Sequence, residues 1–482
     1  MQIGRREFLK TAGAGLCLPM LAGISRSRAA GEKLPNIVLV MADDQGWADM
    51  AYNGHPVLKT PNFDNMASNG MRFDRFYAAH PVCSPTRGSV MTGRNPNRFG
   101  CFSWGNTLRP QEVTLPEALR TAGYVTGHFG KWHIGPVVKG SPVNPGASGF
   151  DEWLSAPNFF DNDPILSREG LAEQTTGESS MVTVDAALDF IRKHSDGEKP
   201  FLAVVWFGSP HGPHQALDED REPYGDQPEK LQHFYGEITG MDRAFGKLRD
   251  HLRSDGTADN TILWYCSDNG GLPTVGATGG RGHKGQIYEG GLRVPAILEW
   301  PERLNGPSTN NIPCCTSDFY PTLLDIAGVS IDGQPPLDGV SLVPLLDGAM
   351  QSRPKPLGFW NYPEGGVPTP SARWMAELME DQRKGNILGD VSKLRLDAAT
   401  ISKHYPEDIF PGHAAWLDWP WKLHRVQSGE GKVRFELYDL RSDPWEERDI
   451  SAESPGKVTS LAAQLRRWQV SVLRSLNGRD YQ

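Results

Sequence analysis

Four apolar runs mark the first 270 residues, and each stops abruptly at polar residues suited to chemistry. Residues 36–42 run into Asp43 and Asp44. Residues 124–129 precede Lys131 and His133, residues 201–207 precede His211 and His214, and residues 261–266 lead to Asp268 and Asn269. Continuous apolar runs of this length predict strands buried on both faces, as in a parallel sheet. Helical patterns lie between them. Thr114 and Glu117 form a capping box with Pro116 early in the helix and Gly123 as a stop, and residues 318–327 form another helix before Gly328. Strands alternating with helices give an α/β fold, a large and mostly parallel central sheet flanked by helices. Ligands of such sheets bind beyond the carboxyl ends of the strands, so the four polar clusters are grouped into one expected site.

The pattern changes near residue 350, after the apolar stretch 337–346 and Asp347-Gly348. Short strands around 421–426 and 434–440 and a helix over 456–475 predict a smaller C-terminal α+β subdomain on a short antiparallel sheet, residues 351–482. Residues 31–350 form the larger, catalytic domain. Residues 363–412 read as an irregular insertion.

The chain has 482 residues, 38% hydrophobic and 22% charged, ample for a large core in more than one domain. Its first 30 residues are set apart. Arg5-Arg6-Glu7-Phe8-Leu9-Lys10 reads as a twin-arginine export signal. A short, weakly apolar stretch follows over 11–25, with small residues for cleavage after Ala29 or Ala30. That stretch is too short to span a bilayer, so stable membrane insertion is not expected. The expected compartment is periplasmic or extracellular, reached through the twin-arginine translocation machinery. Residues 1–30 hold five basic residues and one glutamate, so the formal charge of −9 becomes −13 without them. An acidic chain is a poor nucleic-acid binder. A positive field for an anionic substrate must then be local to the site.

Asp43, Asp44, Asp268 and Asn269 are hard oxygen ligands, which select calcium or magnesium, and calcium tolerates irregular loop coordination. Arg87, Lys131, His133, His211 and Lys284 supply cations and proton carriers. Cys83 opens Cys83-Ser84-Pro85-Thr86-Arg87, just before a predicted helix whose first position suits Pro85. A helix start faces anions with unpaired amides and a positive dipole end. Cys101, Cys266, Cys314 and Cys315 show no zinc spacing, the adjacent pair Cys314-Cys315 does not read as a disulfide framework, and Cys266 reads as a core residue.

Cys83-Ser84-Pro85-Thr86-Arg87, continued by Met91-Thr92-Gly93-Arg94, resembles the signature of the type I sulfatases of the alkaline phosphatase superfamily. The likeness extends through Gly130-Lys131-Trp132-His133-Ile134-Gly135, Ser209-Pro210-His211-Gly212-Pro213, Ser267-Asp268-Asn269-Gly270 and Gly282-His283-Lys284-Gly285 to Glu436-Leu437-Tyr438-Asp439-Leu440. The resemblance implies a sulfuric ester hydrolase of arylsulfatase type. It implies that a formylglycine-generating system converts Cys83 to formylglycine (3-oxoalanine), and that one calcium ion is held by Asp43, Asp44, Asp268, Asn269 and the modified Cys83. Arg87 and Lys131 would hold the formylglycine hydrate, while Lys131, His211 and Lys284 bind sulfate. His133 would assist breakdown of the covalent intermediate. Export and the family favour a sulfated sugar or polysaccharide, with an aryl sulfate as the simple substrate.

The nearest alternative is a phosphate or phosphonate ester hydrolase of the same superfamily. A non-catalytic glycan-binding relic is the more distant one. Trp360, Trp374, Trp416, Trp419 and Trp421 are candidates for stacking on sugar rings. His214, Arg373 and His413, with the 363–412 insertion, are the candidates for leaving-group specificity.

Overall fold

The computed structural model describes residues 33–304, 306–429 and 431–481. The N-terminal export pattern and Cys17 lie outside these residues. The four apolar runs form Asn36–Ala42, Val125–Lys131, Phe201–Trp206 and Thr261–Ser267. They lie side by side in a ten-stranded sheet in the order Thr261–Ser267, Asn36–Ala42, Phe201–Trp206, Val125–Lys131. All pair in parallel, and Glu152–Ala156 extends the parallel set. The outer strands Ala296–Glu299 and Ile165–Arg168 turn antiparallel.

The register puts the four chemical clusters at one level. Ala42 is opposite Ser267, Met41 opposite Trp206, and Gly130 opposite Trp206. Polar residues that follow these positions must therefore emerge together at the carboxyl edge. Alternation along Asn36–Ala42 explains why the run is apolar throughout. Ile37, Leu39 and Met41 join one core layer, and Val38, Val40 and Ala42 the other. The first layer includes residues of the helices Cys83–Thr92, Leu115–Arg120 and Phe319–Ala327, the second residues of Pro61–Asn69, Ser179–Ser195 and Glu229–Ser254.

The helix after Asp43 and Asp44 in the site's assembly is buried along its whole length, Cys83–Thr92. It starts at Cys83, two residues before the expected Pro85, and Val82 is its extended N-cap residue. Pro85 falls in the first turn, where a missing N–H costs no intrahelical bond. The capping box at Thr114 is present, with the Thr114 amide donating to Glu117 at 2.8 Å.

A four-stranded antiparallel sheet, Leu357–Asn361, His413–Asp418, Trp421–Gln427 and Val433–Asp439, carries the helix Pro455–Leu476. Trp360, Trp416, Leu423 and Leu437 pack with Leu461, Leu465 and Trp468 of that helix. The described residues from Leu34 onward form one compact unit. The segment 363–412 is not irregular throughout, because Ser371–Arg383 is helical and packs its buried Met375 and Leu378 into the main core. Among the described residues no helix is long and apolar enough to cross a membrane. The five described cysteines are all free and buried.

Candidate functional site

The strand ends converge as the register requires. Asp43 and Asp44 follow the first strand, and the Asp44 amide donates to Asp268 Oδ1 at 3.1 Å. The Asn269 amide nitrogen donates to Asp44 Oδ1 at 2.8 Å. Arg87, one turn along the helix from Cys83, donates from Nε and Nη2 to Asp268 Oδ2 at 3.1 and 2.7 Å and from Nη1 to the Lys131 carbonyl at 3.0 Å. Its guanidinium also lies over the Trp206 ring, 5.1 Å from the centroid. Lys131 Nζ donates to Asp43 Oδ2 at 2.5 Å and Lys284 Nζ to Asp44 Oδ2 at 2.6 Å. The Lys284 loop is itself anchored by backbone bonds to Gly271 and Pro81.

Cys83 sits at the centre of this cationic ring. Its Sγ is 3.3 Å from His133 Nδ1. Burial pushes the thiol up, against the pull of Lys131 and Lys284. His133 and Asp44 both hold positive φ, 55° and 69°. Non-glycine residues rarely adopt this left-handed region, and such strain concentrates where side chains must be aimed at chemistry.

The electrostatics of the carboxylates suit a cation. Burial opposes ionisation of Asp44, yet Lys284, His211 and Lys131 hold its carboxyl well below the usual range. Burial and the neighbouring Asp43 carboxylate push Asp268 up to about 6 despite Arg87. Asp43 Oδ1 and Asn269 Oδ1 are buried without a hydrogen-bond partner. A buried acceptor normally finds a donor, so two orphaned oxygens call for something else. Ligand atoms of Asp43, Cys83 and Asp268 lie within 4.8 Å of one another, as do those of Asp43, Asp44 and His211. The oxygens of Asp43, Asp44, Asp268 and Asn269 around residue 83 suit a hard divalent cation.

Burial biases both site histidines towards the neutral form. Burial and Lys131 hold His133 well below its ordinary value, and burial takes His211 down to about 3. His211 Nδ1 lies 2.7 Å from the Gly212 carbonyl. A carbonyl only accepts, so Nδ1 carries the proton and Nε2 is bare, 3.6 Å from Asp44 Oδ2.

Three residues that the sequence patterns did not single out join the site. Thr369 Oγ1 is 3.0 Å from His133 Nε2, and the Asn158 amide donates to the Thr369 carbonyl at 3.0 Å. Phe159 stacks on the His211 ring with 4.1 Å between centroids and 14° between planes. None lies in a motif, and only tertiary contact identifies them. Of the specificity candidates, His214 is beside the site, its Nδ1 held 2.9 Å from Glu237 Oε2. Arg373 is exposed and pairs with Glu377 on its own helix. His413 lies in the small sheet with Nε2 2.9 Å from His424 Nδ1. The structure groups neither with Cys83.

The family model described as Sulfatase matches residues 35–329. The N-acetylgalactosamine-6-sulfatase of Mus musculus is 33% identical over 385 residues, 71% of this chain and 72% of that protein. Arylsulfatase G of Canis lupus familiaris is 30% identical over 409 residues, 72% of this chain and 73% of that protein. The crystal structure of Ps i-CgsB in complex with k-i-k-neocarrahexaose matches the fold with a TM-score of 0.76 at 24% identity, covering 91% of this chain and 93% of that one.

Proposed function

The chain belongs to the sulfatase family and hydrolyses sulfate esters, and from that premise we propose an exported, formylglycine- and calcium-dependent sulfatase of sulfated saccharides. The observation that carries this reading is Cys83, sealed at a helix start among Asp43, Asp44, Asp268 and Asn269 with two orphaned acceptor oxygens. The four oxygen-bearing residues would hold calcium, which supplies positive charge where the ester's anion must sit. Formylglycine at position 83 supplies, as its hydrate, a hydroxyl nucleophile and a second hydroxyl whose proton can drive release.

The remaining work falls to side chains already in place. Lys131 and Lys284 offer ammonium groups to the nonbridging oxygens from a mostly buried site, where such contacts count more than in water. Lys284 carries a proton at neutral pH, whereas neutral His211 presents a bare Nε2. Stabilisation of the leaving oxygen therefore rests on Lys284, and the bare His211 Nε2 can accept only from a hydroxyl on the alcohol part of the substrate. His133 is the base. Its Nδ1 faces residue 83 and is free to take a proton if Nε2 donates to Thr369. Arg87 holds Asp268 and the Lys131 carbonyl in register and so positions the cation's cradle.

The saccharide assignment is supported by the relatives' own names, an N-acetylgalactosamine sulfatase and a complex with a neocarrahexaose. Export is supported by the twin-arginine pattern at residues 5–10. In this reading a formylglycine-generating system acts on Cys83, and residues 31–350 carry catalysis beside a 351–482 subdomain.

One experiment tests the formylglycine-dependent sulfatase core of this reading. The protein is produced with a formylglycine-generating system, the residue-83 peptide is weighed, and sulfate and phosphate release from matched aryl esters are compared. Aldehyde content should track sulfate release, and Cys83→Ser should show no steady-state turnover. Full turnover by Cys83→Ser, or phosphate release that outpaces sulfate release, would sink the proposal.

A further inference from the structure

The five tryptophans nominated for sugar stacking are engaged elsewhere. Trp360 and Trp416 are buried in the small-sheet core. Trp374 has Lys393 Nζ 5.4 Å from its ring, Trp419 has Arg75 at 4.2 Å, and Trp421 has Lys457 at 5.4 Å. Among the described residues two other tryptophans stand exposed, Trp104 at 41% and Trp445 at 47%. Trp445 borders a depression lined by Glu436, Glu447 and Asp449, which repels a polyanion. Trp104 does not.

Trp104 is held rather than loose. It sits in a turn closed by the Asn106 amide donating to the Ser103 carbonyl at 3.2 Å, and Gly105 takes φ +74°. A Cβ at Gly105 would lie 2.0 Å from the Val367 carbonyl oxygen, so only glycine admits this approach. The Val367 amide donates to the Trp104 carbonyl at 2.8 Å. A Cβ at Gly366 would lie 2.3 Å from both bridgehead carbons of the indole and 2.8 Å from Cε3. Gly366 therefore lies flat against one ring face, and the ring is backed by protein on that side.

Two short links tie this ring to the catalytic centre. The Gly105 amide donates to Ser84 Oγ at 2.8 Å, next to Cys83. Thr369, three residues after Gly366, reaches His133, which reaches Cys83.

We propose that Trp104 is a specificity-determining residue whose free indole face stacks on the pyranose ring of a sulfated saccharide seated at Cys83. The proposal rests on the saccharide reading above. An aromatic ring that packs against Gly366 and is still 41% exposed can bury an apolar sugar face. Residues 363–370 thus act as the wall that supports the platform.

The test is steady-state desulfation of a panel of defined sulfated oligosaccharides by the modified, calcium-loaded protein. Trp104→Ala should raise KM about tenfold with kcat changed less than about threefold. Trp104→Phe, which keeps an aromatic face, should stay within about threefold of wild type in KM. Thermal unfolding checks that each variant is folded. Should Trp104→Ala fail to fold, Trp104→Leu keeps bulk without the π face and carries the same expectation. Unchanged KM in the Ala or Leu variant, with wild type active on the saccharides, overturns the assignment alone. Wild-type protein that cleaves aryl sulfates but no sulfated saccharide overturns the saccharide reading and this assignment together.

Discussion

At the ends of the central strands, Arg87 and Lys131 are buried against Asp43 and Asp268, and half-buried Lys284 pairs with Asp44. In the small sheet, Lys422 and His424 are buried against Glu289 and Glu446. Both clusters hold buried charge, and they differ in completeness. Lys422 Nζ reaches Glu289 Oε1 at 2.7 Å and Glu446 Oε1 at 3.0 Å, and the remaining Glu289 oxygen accepts from Tyr77 at 3.0 Å. Glu446 Oε2 accepts from the Glu289 amide at 2.6 Å, and His424 bonds both Glu446 and His413. No side-chain atom of these residues is orphaned, whereas the strand-end cluster leaves Asp43 Oδ1, with only Arg87 Nη2 at 3.9 Å, and Asn269 Oδ1 without hydrogen-bond partners and strains Asp44 and His133. Buried charge alone does not mark an active site. A saturated cluster fastens the small sheet to the helix Glu289–Leu292, and an unsaturated one leaves acceptors for a ligand.

Exchanging one lysine in each cluster breaks or upholds this contrast. Lys131→Met should lower kcat/KM about a thousandfold or more, since it removes a preorganised cation from the reacting anion. Its stability loss in calcium should be the smaller of the two, because Arg87 and the proposed cation remain beside Asp43. Lys422→Met should do the reverse. Removing one partner of a buried pair costs about 3–5 kcal/mol, while kcat of the folded fraction should stay within about threefold. Denaturant titration and initial rates on both variants decide it. If Lys131→Met is the less stable, or Lys422→Met the less active, the division of roles is wrong.

A subtler effect sharpens the contrast. Asp49 lies behind the catalytic loop with no cation, accepting from the Ala277 and Gly46 amides at 2.6 and 2.9 Å. Burial pushes its carboxyl up to about 7. The folded state therefore keeps a proton that the unfolded chain releases near pH 4. Asp49's contribution is present below that pH and is lost as pH rises through about 7. Asp49→Asn should gain stability relative to wild type between pH 5 and 8. Melting curves of the two proteins that stay parallel across that range would rule this out.

Much of this was legible in the sequence because the strand-end residues follow apolar runs directly, and parallel pairing brings strand ends together. The helix start was misplaced by two residues because Pro85 also fits the first turn. Ser371–Arg383 was missed because its apolar face is narrow, with Met375 and Leu378 buried amid charged neighbours. The Lys422 and His424 cluster was invisible, since both alternate with apolar residues as in any half-exposed strand and only Glu289 and Glu446, far along the chain, reveal them as buried. Trp104 was passed over for the tryptophan-rich C-terminal part, where tryptophan density signals core.

Every residue of Cys83–Thr92 is buried, and Cys83 itself is 1% exposed. Under the formylglycine reading this makes maturation a race. A modifying enzyme must capture the segment as an open strand of chain, and folding closes the door behind it. A molecule that folds with its thiol intact is a stable, well-packed and permanently silent copy. The active fraction of a preparation then records the timing of its biogenesis, and no later treatment of the native protein restores it.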